Sequence, residues 1–259
     1  MVENSLSSES ISRNLDTCYI GRRIIYYPSL TSTMEVARKE ARRGAVEGTV
    51  VIADEQTVGK GRKQRAWITT RGNIALSLIL RPQISHLSYM VMIASLSVAN
   101  SIEAVTGLKV QIKWPNDVLI NGKKVCGILI ENDIRGDKVA YSIIGIGINV
   151  LINSDEYPDL LSSATSLSGE SGTGVSRVDV ICRLLKETEE LYDKLPAGAS
   201  IYQEWRDRLT MLGENVKIIS GDNLVEGFAE SVNRDGSLLL RYPDGSSTKI
   251  IAGDVTLCV

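Results

Sequence analysis

The sequence predicts an α+β fold. A mixed domain spans residues 20–210, a small β domain spans 211–259, and a short flexible arm covers 1–19. Three observations predict it. Helical periodicity alternates with paired hairpins rather than with the single crossover strands of a βαβ winding. Turn residues separate apolar runs in the middle of the chain. From about Gly213 the texture changes to short strands broken by Gly-Asp, Arg-Asp-Gly and Pro-Asp-Gly-Ser, the pattern of a small β-barrel.

The elements follow in order. MVENSLSSESISRN is polar and serine-rich, with neither a basic start nor an apolar stretch, so it reads as a frayed arm and not as a secretion signal. RRIIYYPSL is a strand ending at Pro28. TSTMEVARKEARRG is a helix. Ser32 or Thr33 caps it, Met34, Ala37 and Ala41 share a face, and Gly44 falls where a terminating glycine belongs. GTVVIADEQ is a β-branched strand that leads into a basic loop, and NIALSLILRP alternates up to Pro82. From His86 to Thr106, Met90, Ile93, Ala94, Ser97, Val98 and Ile102 recur at helical spacing, and Gly107 terminates the run.

VQIKWP then leads to Asn116-Asp117 and into VLI-NG-KKVCGILIEN. The Asn121-Gly122 pair is a hairpin signal because a type I′ turn needs positive φ at both positions. A second hairpin passes through Arg135-Gly136-Asp137 into VAYSIIGIGINV. Residues 154–174 read as a Ser- and Gly-rich loop, and Ser176 to Leu195 and Ile201 to Leu209 as amphipathic helices.

Composition excludes several classes of function. The chain has 259 residues and a formal net charge of -2, so no global field draws it to nucleic acid or anionic lipid, and any basic function is local. Cys18, Cys126, Cys182 and Cys258 are widely separated with no CxxC pair. That argues against a zinc site or disulfide framework, and a reducing cytosol is the simplest setting. His86 is the single histidine, which leaves little room for histidine-based catalysis. The longest apolar run, YSIIGIGINVLI, is too short and too interrupted to span a bilayer.

The basic loop EQTVGKGRKQRAW, Glu55 to Trp67, is the first candidate for chemistry. It is not a Walker loop, since Gly61 follows Lys60 and no glycine precedes Gly59 by five positions. Nor is Gly145-Ile146-Gly147 a dinucleotide fingerprint, because Val150 stands at the third glycine position. Gly59 and Gly61 let backbone N–H groups turn toward an anion, and Lys60, Arg62 and Arg65 supply charge. Trp67 offers a flat apolar wall. A solvated turn with Trp67 in the core is the competing reading.

Other candidates are weaker alone. In KWPND, Lys113 to Asp117, the proline turns the backbone and presents Asn116 and Asp117 at a strand end; a plain Asx turn is the alternative. Lys124 follows the hairpin turn, and simple alternation puts it on the face of Cys126 and Ile128; an exposed edge lysine is the alternative. Asn149 closes GIGIN, where glycines permit close backbone approach to a ligand. Ser32 and Thr33 read by default as helix caps.

Their order is informative. Ser32-Thr33, then Gln56 with GKGR (Gly59 to Arg62) and Trp67, then KWPND, then GKKVCGIL (Gly122 to Leu129), then GIGIN (Gly145 to Asn149) closely resembles the biotin–protein ligases over residues 20–259. The resemblance implies a catalytic domain related to class II aminoacyl-tRNA synthetases, followed by an SH3-like barrel. It implies two steps: biotin's carboxylate attacks the α-phosphate of Mg-ATP to give biotinoyl-5′-AMP and pyrophosphate, and a carrier lysine then takes the acyl group and releases AMP. ATP and biotin are thus the expected substrates and Mg2+ the expected ion, with no metal ligand assigned.

By the same resemblance, Ser32, Thr33, Met34 and Gln56 would meet the ureido head of biotin. Lys60, Gly61 and Arg62 would close over the carboxylate and phosphate. Trp67 and Arg65 would face adenine and phosphates, and Asn116, Asp117 and Asn149 the nucleotide side. Lys124 would serve both substrates, with Arg62, Lys124 and Asp117 the catalytic set. Two positions depart from the family pattern: Lys60 stands where arginine is common, and Met34 where many members have asparagine. The implied partner is a biotin carboxyl carrier protein, and a homodimer is expected. Only about 20 residues precede the first strand, fewer than a DNA-reading three-helix unit needs, so operator binding is not expected. A lipoate–protein ligase of the same fold and a biotin-binding sensor without transfer are the rival readings.

Overall fold

The computed structural model describes residues 6–152, 162–220 and 223–257. Strands β1 (Ile24–Tyr27) and β2 (Val50–Ala53) run parallel, joined across helix α2 (Thr33–Arg42). β3 (Ile74–Leu80), β4 (Gln111–Lys113), β5 (Asp117–Ile120), β6 (Lys123–Arg135) and β7 (Lys138–Ile148) add antiparallel neighbours, in the order β1-β2-β3-β7-β6-β5-β4. Asn121 and Gly122, at φ 51° and 76°, form the turn between β5 and β6 as expected.

Side-chain alternation gives this sheet two different faces. Ile74, Leu76, Leu78 and Leu80 of β3 join Ile144, Ile146 and Ile148 of β7 and Cys126 and Ile128 of β6 in the main core. Helices α3 (Tyr89–Thr106) and α5 (Arg177–Asp193) contribute to that core. On the other face Val51, Ile79 and Ile143 are covered by Met34, Ala37 and Ala41 of α2. The alternation of β3 therefore does not mark a half-buried strand: both faces are covered, and all seven residues are buried. Helix α3 has the length and apolar composition of a membrane span, yet most of it lies inside this fold.

Two expectations need correction. The N-terminal arm is not frayed at residues 8–14. They form helix α1 (Ser8–Asn14), closed by reciprocal Ser7 and Ser10 hydrogen bonds, and Leu6, Ile11 and Leu15 enter the main core. The serine-rich composition conceals three apolar residues, Ile11 within the helix and Leu6 and Leu15 flanking it. In the expected loop of 154–174, residues 167–171 form helix α4 (Leu167–Ser171), capped by Ser166; 153–161 lie outside the described residues.

After helix α6 (Ala199–Asp207), β8 (Asn215–Ser220), β9 (Asn223–Val232), β10 (Leu238–Arg241), β11 (Ser247–Ile250) and β12 (Asp254–Leu257) form an antiparallel sheet in the order β11-β10-β9-β8-β12. Trp114, fully buried, donates its indole N–H to the Gly236 carbonyl at 2.8 Å and pins this sheet to the larger domain.

The segment leading into β1 hangs on one buried carboxylate. Glu189 of α5 accepts the backbone N–H groups of Cys18, Tyr19 and Ile20 at 2.6, 2.8 and 2.8 Å. Burial pushes this carboxyl up, but the three N–H donors more than offset it, and it sits below the usual glutamate range. A depressed folded-state value stabilises the fold above the unfolded value, near pH 4.3, and that contribution fades as pH falls through the folded value. Glu189→Gln is expected to lose about 2 kcal/mol at neutral pH, since charge-assisted bonds become neutral ones. In denaturant titrations the gap from wild type should narrow below about pH 4; a gap independent of pH would refute this account.

Candidate active site

Beyond the end of α2, the second face of the sheet is stripped of bulk. Gly127 of β6 is paired with Gly147 of β7, and Gly145 lies between Ser77 and Leu129. A cavity of about 720 Å³ opens over these positions. The glycines are required by what lies on them. A Cβ at Gly147 would collide with the Trp67 indole, one at Gly127 would stand 2.9 Å from Trp67 Cζ3, and one at Gly145 would stand 2.6 Å from Met34 Sδ. Trp67 thus lies against the sheet as a wall of the cavity, rather than in the core.

One end of the cavity is a hydrogen-bond relay. The Ser77 hydroxyl donates to Thr33 Oγ1 at 2.8 Å, and the Thr33 N–H and hydroxyl donate to Gln56 Oε1 at 2.8 and 3.1 Å. Gln56 Nε2 donates to Thr69 Oγ1 at 3.0 Å, so the carboxamide orientation is set by both neighbours. Ser32 occupies the N-cap position of α2, but its hydroxyl makes no capping bond, and it borders the cavity with Met34. Ser77 and Thr69 escaped the sequence reading, because each is a lone hydroxyl in a strand or loop.

The basic loop is a small hairpin folded over the opening. Gly61 N–H donates to Arg65 O, Trp67 N–H to Gly59 O, and Lys60 pairs with Ala66. The glycines are therefore used differently from the expectation. Gly59 lets the Trp67 carbonyl come close, and the Gly61 N–H is consumed within the hairpin instead of turning toward an anion. The Lys60 ammonium pairs with Glu35 of α2 at 2.7 Å, which holds that carboxyl below its usual range. Arg62 reaches across the opening and donates to Asn116 Oδ1 at 2.7 Å.

Lys124 is placed by a β-bulge. Val118 pairs with Cys126 but Leu119 pairs with Lys124, so Val125 has no opposite number on β5. The extra residue turns Lys124 away from the face of Cys126 and Ile128, contrary to simple alternation, and toward the cavity beside Gly127. Nor is it an edge lysine, since β6 lies between β5 and β7. Its ammonium pairs with Asp117 at 2.7 Å and stands 5.2 Å from the Trp67 ring centre. Its backbone is clasped by Ser163 and Thr165. Asn149 joins the same clasp, its side chain donating to Thr165 O at 3.2 Å and its carbonyl accepting from Leu167. Asn116 is fixed by donating to the Ile128 carbonyl at 2.8 Å.

Ser32, Thr33, Met34, Gln56, Lys60, Gly61, Arg62, Arg65, Trp67, Asn116, Asp117, Lys124 and Asn149 thus border one cavity, and Gly59 does not. His86 ends a 3-10 turn before α3, edge-on to Tyr89, and is not among the cavity's residues. The sequence reading missed Asp254 of β12, which enters the cavity wall from the second domain. Among the described residues, no cluster of three or more His, Cys, Asp or Glu could hold a metal ion.

Comparison with known proteins gives the family. Residues 26–149 match the biotin/lipoate A/B protein ligase family, and residues 211–257 match the biotin protein ligase C-terminal domain. The chain is similar to the bifunctional ligase/repressor BirA of Bacillus spizizenii, 40% identical over 97% of this chain and 79% of that one. It is also similar to the biotin–[acetyl-CoA-carboxylase] ligase of Paracoccus denitrificans, 34% identical over 75% and 85% of the two chains. The solved structure of the Aquifex aeolicus biotin protein ligase in complex with biotin and ATP superposes with a TM-score of 0.77 at 28% identity, covering 92% of this chain and 99% of that one. The chain belongs to the biotin protein ligase family, with its α+β catalytic domain and a C-terminal β domain.

Proposed function

We infer that the protein is an ATP-dependent ligase that activates biotin as biotinoyl-5′-AMP and transfers the acyl group to a lysine of a biotin carboxyl carrier protein. One observation carries the reading. Two cationic side chains from separate elements, Arg62 and Lys124, converge on a cavity that has a fixed hydrogen-bonding relay at one end and an aromatic wall beside it. Lipoate offers no ureido group for such a relay, and the ligases of the compared organisms act on biotin.

The chemistry follows from charge. A carboxylate and an α-phosphate repel each other, and attack builds further negative charge on the phosphoryl oxygens. Lys124 and Arg62 oppose that charge, and their partners Asp117 and Asn116 fix where the two cations stand. Ser32, Thr33, Met34 and Gln56 hold the ureido end, and the hairpin closes over the carboxylate through Lys60 and Arg62, the Gly61 N–H being taken by Arg65 O. With asparagine replaced by Met34, hydrogen bonding at that end falls to Thr33 and Gln56, while the Met34 thioether supplies apolar contact. Trp67 and Asn149 border the nucleotide, and Arg65 is near its phosphates. The hairpin then shields the mixed anhydride from water until the carrier amine attacks.

Magnesium would be held mainly by the nucleotide phosphates and would help neutralise their charge, with Asp117 on the cavity wall as the proposed carboxylate contact. Two copies of the chain pair through a sheet edge in this proposal, β1 being an edge strand and β4 being already bridged to Leu209. The cytoplasm is the proposed location, and the five-stranded C-terminal sheet is read as SH3-like.

The direct test is biotin-dependent exchange of labelled pyrophosphate into ATP. Robust exchange with biotin and none with lipoate is expected, with loss in Arg62→Ala; exchange driven by lipoate instead would transfer the reading to that acid. Lys124→Ala should lower the adenylation rate by about 10²–10³, with biotin binding largely kept. Unchanged turnover would remove Lys124 from the catalytic set. Gly147→Ala should push Trp67 off the sheet and raise the KM for ATP more than the KM for biotin; equal increases would mean that Trp67 does not face the nucleotide.

A further inference from the structure

The loop from Lys60 to Arg65 carries four cations within six residues, and like charges so close repel each other. Lys60 is neutralised by Glu35 on α2. The other three converge on one carboxylate from the second domain. Asp254 lies 2.7 Å from Arg65, 3.3 Å from Lys63 and 3.9 Å from Arg62. Two backbone carbonyls of the same sheet reinforce it. Arg62 donates to Gly253 O at 3.3 Å through both terminal nitrogens, and Lys63 donates to Ile219 O at 3.2 Å.

These acceptors stand on a rigid base. Asp254 opens β12 and pairs with Ile219 of β8. Gly253 is buried so tightly that a Cβ would stand 2.6 Å from Ile218 Cγ2. Within the loop, Lys63 holds φ 52°, a left-handed conformation that a lysine seldom adopts unless its surroundings fix it. Burial pushes the Asp254 carboxyl up, but Lys63, Arg65 and Arg62 together hold it below the usual aspartate range, so it is ionised at neutral pH.

We propose that Asp254 is a positioning residue for adenylation: from the C-terminal domain it latches the cationic hairpin shut, so that the Arg62 guanidinium is held across the cavity mouth. This rests on the ligase reading for its kinetic consequence, but not for its structural one. A single exposed ion pair is weak, whereas a half-buried carboxylate shared by three cations and backed by two carbonyls acts as a network. With the latch in place, Arg62 has little conformational freedom left to lose when anions arrive.

The test uses the full chain and three variants, Asp254→Asn, Asp254→Glu and Lys63→Met. Without any substrate, limited trypsin digestion read by mass spectrometry should cut after Arg65 about tenfold faster in Asp254→Asn than in wild type, at an unchanged melting temperature. Asp254→Glu should recover most of the protection. In pyrophosphate exchange, Asp254→Asn should raise the KM for ATP about tenfold, weaken biotin binding by a smaller factor, and shorten the lifetime of bound biotinoyl-5′-AMP. If Asp254→Asn unfolds the C-terminal sheet, Lys63→Met breaks the contact from the loop side and must also speed cleavage after Arg65. Cleavage and KM both within twofold of wild type, or tighter ATP use in Asp254→Asn, would overturn the proposal. A wild-type protein inert in exchange would overturn the ligase reading alone, since the cleavage result needs no substrate.

Discussion

The site depends on one packing constraint: on the α2 side of β6 and β7, positions 127, 145 and 147 carry no side chain. The same strands are dense with isoleucine on their other face, where Ile144, Ile146, Ile148 and Ile128 fill the main core. One face of the sheet therefore supplies stability while the other supplies room. Side chains at those three positions would fill the cavity floor, and Trp67 and Met34 could not lie where they do. Protein interiors close on voids of this size unless rigid elements hold them open. Here the rigid element is β7, buried along most of its length and paired on both sides with β3 and β6.

Given that floor, the charges must be brought in from the margins. Lys124 arrives by a bulge, Arg62 by a hairpin, and Asp117 and Asn116 by the turn between β4 and β5. Each cation meets an oxygen that fixes its direction, Asp117 for Lys124 and Asn116 for Arg62, so the positive field is set before any anion enters. Preorganisation of this kind matters more in a recess than on an open surface, because fewer water dipoles compete with the fixed charges.

Much of this was legible in the sequence, for local reasons. The Asn121-Gly122 turn, the strands around it, the helix after Ser32 and the short strands after Gly213 rest on near-neighbour rules and are all present, although the Ser32 hydroxyl makes no capping bond. The side chains singled out by the ordered motifs also border one cavity. What stayed hidden depends on distant pairing. The bulge at Val125 exists only opposite β5, and it reverses the face that alternation assigns to Lys124. Ser77 and Thr69 acquire meaning only through Thr33 and Gln56, 44 and 13 positions away in the chain. Asp254 lies 189 positions from Arg65, and nothing in its local sequence marks it. Helix α1 was missed because Leu6, Ile11 and Leu15 are sparse among serines and find their core only against α5.

The second domain is bound to the first at the two places that matter most to the cavity. Trp114 and Asn116 sit on the same tight turn. The first is buried against Gly236, and the second holds Arg62. Gly253 and Asp254 hold Arg62 from the second domain, and a Cβ at Gly253 would stand 3.7 Å from Trp114 Cζ3. The guanidinium is thus gripped between a turn of the first domain and a strand end of the second, and the same tryptophan fixes the spacing of the two. A shift of the C-terminal sheet could not spare Arg62, because both of its supports would move relative to each other. The small β domain is therefore part of the site's geometry, and its contribution runs through the position of one cation.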